Sequence, residues 1–91
     1  GKAVVILNER TGTVVMGNNV IISPITISHG SLSIKIGKNK QAAGKSMVGV
    51  GSTVGELVEN LNNLGVRPAD LVGILQSINA AGALQAELRF L

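Results

Sequence analysis

The chain has 91 residues and a mass of 9.3 kDa, room for one domain; 45% of it is hydrophobic but Phe90 is its single aromatic residue, so the core must be aliphatic and an aromatic base-stacking platform is excluded. With no cysteine and one histidine, His29, it can build neither a disulfide framework, nor a thiol nucleophile, nor a metal site of cysteines or paired histidines. The net charge of +3 conceals an asymmetry: residues 1–50 set Lys2, Arg10, Lys35, Lys38, Lys40 and Lys45 against Glu9, a balance of +5, and residues 51–91 set Arg67 and Arg89 against Glu56, Glu59, Asp70 and Glu87, a balance of −2.

Ala3 to Leu7 is an apolar strand, followed by the loop Asn8-Glu9-Arg10-Thr11-Gly12 and a second strand over Thr13 to Met16. Ala3 to Leu7 is also the longest unbroken aliphatic run, far short of the ~20 residues a membrane-spanning helix needs. Gly17-Asn18-Asn19 reads as a hairpin turn, and Val20 to Ile22 as a strand closed by Pro24. The runs Val14-Val15-Met16 and Val20-Ile21-Ile22 are continuous rather than alternating, which implies that both faces are covered. A two-residue turn at His29-Gly30 then pairs Ile27 with Leu32 and Ile25 with Ile34. That hairpin puts Ile25, Ile27, Leu32, Ile34 and Ile36 on one face and Thr26, Ser28, Ser31, Ser33 and Lys35 on the other; a slip of one residue would bury Lys35.

Residues 38–52 form a flexible Gly- and Lys-rich connection with one short strand at Met47 to Val50. Thr53 and Glu56 have the spacing of a capping box, and Val54, Leu57, Val58, Leu61 and Leu64 form a helical stripe that ends at Gly65. Pro68 opens a second helix with Asp70 in its first turn and Leu71, Ile74, Leu75 and Ile78 as its buried stripe, stopped by Gly82. Arg67 is a poor N-cap for it. Leu84, Ala86, Leu88 and Phe90 alternate with polar residues as a closing strand. The pattern is an α+β domain: an antiparallel or mixed sheet of short strands, two consecutive helices packed on one face, and a C-terminal strand. Residues 1–91 make a single domain, with a strand-rich half at 1–37, the connection at 38–52 and a helix-helix-strand half at 53–91. Its expected radius of gyration is about 12 Å.

Candidate chemistry is sparse. Gly44-Lys45-Ser46 is similar to the end of a phosphate-binding loop, but six residues rather than four separate Gly37 from Gly44 and the helix begins too late, so the residues read as a surface loop. Gly49-Val50-Gly51-Ser52-Thr53-Val54-Gly55 has one residue too many before the third glycine of a dinucleotide fingerprint. His29, between Ser28 and Gly30, reads as a turn residue without a nucleophile elbow. Glu56 and Glu59 share a solvated helix face. Lys35, Lys38, Lys40 and Lys45 form a candidate interaction face, and the alternative function is a basic, KH-like module for nucleic acid or another polyanion. Against that alternative, Pro68 stands where the clamp between KH helices needs its second glycine. Neither a cofactor nor a catalytic group is expected.

The sequence as a whole resembles a known family. Asn8-Glu9-Arg10-Thr11-Gly12-Thr13-Val14-Val15, then Ile22-Ser23-Pro24 with Ile27-Ser28-His29-Gly30, then Gly65-Val66-Arg67-Pro68-Ala69-Asp70-Leu71 through Ala80-Ala81-Gly82-Ala83-Leu84-Gln85-Ala86-Glu87-Leu88 resemble the C-terminal part of the bacterial flagellar P-ring protein. The resemblance implies a non-catalytic structural subunit, exported to the periplasm with a cleaved signal peptide. It assembles there with other copies of itself into a ring of the flagellar basal body that serves as a bushing for the rotating rod. The implied partners are the rod, the L-ring protein, a periplasmic assembly chaperone and peptidoglycan, with no nucleic acid and no membrane-spanning segment. The chain begins Gly1-Lys2 rather than with Met and is expected to be a fragment or a processed product. It departs from the family in a shorter connection at 38–52 and in lacking the cysteines of some members. A mean hydropathy of +0.41 fits a chain that buries surface against neighbours, since burial and conformational entropy nearly cancel in so small a domain.

Overall fold

The computed structural model describes residues 3–16, 20–37, 47–50 and 53–91. The chain runs β1 (Val4–Asn8), β2 (Thr13–Met16), β3 (Ile25–His29), β4 (Leu32–Ile36), β5 (Met47–Val50), α1 (Val54–Asn63), α2 (Pro68–Ala80) and β6 (Glu87–Phe90), the expected α+β order. Among the described residues the strands divide into two three-stranded sheets, ordered β2-β1-β6 and β3-β4-β5. Each is an antiparallel hairpin extended by a parallel strand, β6 beside β1 and β5 beside β4. Both helices meet the second sheet, α2 on β3 and α1 on β5.

Among the described residues the buried hydrophobic side chains form one cluster, and all of them are aliphatic. Val5 and Leu7 enter it from the first sheet, Ile27, Ile34 and Ile36 from the second, Val54, Leu57 and Leu61 from α1, and Leu71, Ile74, Leu75 and Ile78 from α2. Phe90 stays 44% exposed, so the one ring available is not used to fill the core. The radius of gyration is 12.1 Å.

Helix boundaries follow local chemistry. Thr53 Oγ1 accepts the Glu56 N–H at 3.2 Å, and the Glu56 carboxylate accepts from the Thr53 hydroxyl at 3.1 Å. The cap is therefore reciprocal, but its return bond comes from the hydroxyl rather than from the backbone N–H of the usual box. Both helices end in a Schellman motif: Val66 N–H donates to Leu61 O and Gly65 N–H to Asn62 O after α1, and Ala83 N–H to Ile78 O and Gly82 N–H to Asn79 O after α2. Arg67 makes no side-chain capping bond.

Four expectations are corrected. The β3–β4 hairpin pairs Ile27 with Ile34 and His29 with Leu32, so the turn is Gly30-Ser31, not His29-Gly30, and the register moves by two residues. Gly30 at φ 62 supplies the first central position of such a turn, where a side chain is disfavoured. A shift of two preserves the faces, which are as expected, but it draws His29 into the strand, on the apolar side. Val20 to Ile22 is no hairpin strand: Ile21 bridges Thr53, Ile22 bridges Leu84, and Val20 O accepts the Val54 N–H. The continuous runs are not covered on both faces, because Val15 is 54% and Ile21 48% exposed. Leu64, assigned to the α1 stripe, is 56% exposed, because the helix has already ended at Asn63. The turn expected at 17–19 lies outside the described residues.

Candidate functional site

Moving His29 onto the apolar face brings it against α2. Its Nε2 lies 3.0 Å from Asp70 Oδ1, and the carboxylate accepts. The ring rests on the helix backbone at Gly73, where a Cβ would stand 2.8 Å from His29 Cε1 and 3.5 Å from Nδ1. The side chains are 31% and 47% exposed, so this bond is worth about 1 kcal/mol rather than the larger value of a buried charged pair. The ring is thus held by Asp70 at Nε2 and rests by its Cε1 edge on the helix at Gly73. Among the described residues no cluster of three His, Asp or Glu side chains forms a metal site. The pair fastens the end of β3 to the first turn of α2, beside a shallow depression of about 410 Å³ that reaches Leu64 and Arg67. Sequence reasoning placed both residues and missed their meeting; a glycine in the interior of a strong helix, Gly73, was the available signal of close approach.

The other candidates separate. Lys35 sits in β4 opposite Thr26 and Gly49, on the face away from the core. Lys38, Lys40 and Lys45, with Gly44 and Ser46, lie outside the described residues. Gly51 and Ser52 of the dinucleotide-like stretch do as well, but the start of α1 beyond them is already occupied: Val54 N–H donates to Val20 O and Glu56 N–H to Thr53 Oγ1. The α1–α2 segment carries the Schellman turn at Gly65 in place of a nucleic-acid clamp. Glu56 and Glu59 are exposed, the former engaged with Thr53. In β6, Arg89 Nε donates to Glu87 Oε2 at 2.9 Å. That hydrogen bond, and then the carboxylate charge, raise the guanidinium above its already high range.

The fold and these groups define a class: a small α+β module with an aliphatic core, its described side-chain hydrogen bonds either local or, at His29–Asp70 and Ser23–Gln85, tying distant segments together. Comparison with known proteins gives the family. The sequence matches the profile of the flagellar P-ring protein over residues 1–54 and 38–90, and the chain belongs to that family. It is 53% identical to the flagellar P-ring protein of Bdellovibrio bacteriovorus over 99% of this chain and 28% of that protein. It is 42% identical to that of Geobacter metallireducens over 94% of this chain and 31% of the relative, and 38% identical to that of Syntrophus aciditrophicus over 99% and 35%. The chain thus spans about a third of the length of the curated relatives it matches. The two matched stretches share residues 38–54, where the connection is expected to be short.

Proposed function

We propose that this chain is part of a structural subunit of the flagellar basal-body P-ring, a periplasmic ring associated with peptidoglycan in which the rod turns. The observation that carries this reading is membership of the P-ring family, with matches that together run from residue 1 to residue 90. The subunit is non-catalytic. The 91 residues act as one domain within it, and its partners are other copies, the rod, the L-ring protein, an assembly chaperone and peptidoglycan. Physical properties support a mechanical part. Among the described residues the core is a single aliphatic cluster, both helices end in Schellman caps, and Asp70 and Glu87 are engaged in intramolecular pairs. Lys35, together with Lys38, Lys40 and Lys45, is proposed as a face toward an acidic partner, which makes the +5 half of the chain an assembly surface.

The test is imaging of basal bodies from cells that lack the encoding gene. The expected result is loss of the ring at the level of the cell wall and loss of swimming, both restored by the gene; basal bodies that keep that ring would refute the reading.

A further inference from the structure

Each sheet has two edges, and those of the first sheet are of a different kind. In the second sheet each edge strand meets a helix, α2 on β3 and α1 on β5. Proline, lysine and covering elements are the usual devices that stop a strand from pairing further. In the first sheet, β2 (Thr13–Met16) and β6 (Glu87–Phe90) contain neither proline nor lysine, and no further strand pairs with either among the described residues. Glu87 N–H and Leu91 N–H are directed at β1, to Ala3 O and Leu7 O, so strand alternation turns the backbone groups of Leu88 and Phe90 to the open side. Val15 on one edge and Phe90 on the other are among the most exposed large hydrophobic residues of the molecule.

The two open edges also match each other. β6 runs parallel to β1 and β2 antiparallel to it, so in two copies of like orientation β6 meets the next β2 antiparallel. Val14, Met16, Leu88 and Phe90 lie on the side of Val5 and Leu7, whereas Val15 and Arg89 flank Ile6 on the opposite side. Setting Arg89 opposite Val15 of the next copy puts Leu88 opposite Met16 and Phe90 opposite Val14, and both faces run on without a break; a slip of one residue destroys that continuity. The Glu87–Arg89 pair cancels the charge that β6 brings to this junction.

We infer that copies join edge to edge, β6 of one pairing antiparallel with β2 of the next, in a head-to-tail contact of the type that closes into rings. The inference rests on the ring-subunit reading and specifies the surface that reading leaves open. It is tested in the complete protein carrying this sequence. Oxidation of assembled Val15→Cys/Arg89→Cys protein is expected to give a ladder of covalent multimers on a non-reducing gel, collapsed by reductant, with neither single variant cross-linking. Val15→Lys is expected to abolish assembly without changing the melting temperature, whereas Gln76→Lys, on the exposed side of α2, leaves assembly intact. Rings that form without a ladder, or cross-linking by either single variant, would overturn the edge pairing and leave the ring reading standing. Intact rings from Val15→Lys would do the same. Failure of the unsubstituted protein to assemble with its partners would remove the ring reading, and this pairing with it.

Discussion

Gly73 and His29 are a matched pair, and the match decides the sign of a substitution. In an exposed helix, alanine is favoured over glycine by about 1 kcal/mol. At Gly73 the new Cβ would stand 2.8 Å from a ring that Asp70 holds in place. Overpacking of this kind costs ~1–3 kcal/mol, so Gly73→Ala is expected to destabilise the chain by about 1 kcal/mol. In a His29→Ala background the same change is expected to stabilise it by a similar amount. A double-mutant cycle measured by urea unfolding checks the reversal; equal effects in both backgrounds would show that the ring does not bear on the helix. Gly12 is stricter, because two costs coincide there. Its φ is +72, and a Cβ would lie 2.6 Å from Pro68 Cβ and 2.8 Å from Pro68 Cα, backbone that cannot yield. Gly12→Ala is expected to cost about 2–3 kcal/mol, read as a lowered denaturation midpoint with unchanged slope.

Helices and their limits were legible because their signals are local. Thr53 and Glu56, Pro68, Gly65 and Gly82 each act within a few residues, and each stands where its chemistry requires. The same locality makes caps testable one at a time. Thr53→Ala removes an observed capping bond and is expected to cost ~1 kcal/mol, whereas Arg67→Ser supplies a missing one and is expected to add roughly 0.5–1 kcal/mol, both measured by thermal unfolding. Strand partners were not legible to the same degree. The alternation of Ile25 to Ile36 fixes faces but is satisfied equally by turns at His29-Gly30 and Gly30-Ser31, and the choice between them decides whether His29 reaches Asp70. The parallel pairing of Val4–Leu7 with Glu87–Phe90 joins the two ends of the chain, and no local residue announces it. The division into two sheets was equally hidden.

For the whole molecule, the composition sets the character of the core and the comparisons set the family. An aliphatic core without aromatic residues, exposed Val15, Ile21 and Phe90, and a mean hydropathy of +0.41 describe a domain with apolar surface to spare. Binding of neighbours to the folded form alone stabilises it by mass action. The 91-residue chain by itself is therefore expected to melt below the temperature at which the same residues open in the assembled protein, as checked by hydrogen exchange on both; equal protection would show that neighbours contribute nothing. The most direct test of the central claim, that this sequence belongs to a subunit whose work is assembly, is the mass and shape of the complete protein purified with the partners proposed for it. Sedimentation and electron microscopy are expected to show one large closed ring, and a protein that stays monomeric at high concentration with those partners present would contradict the account.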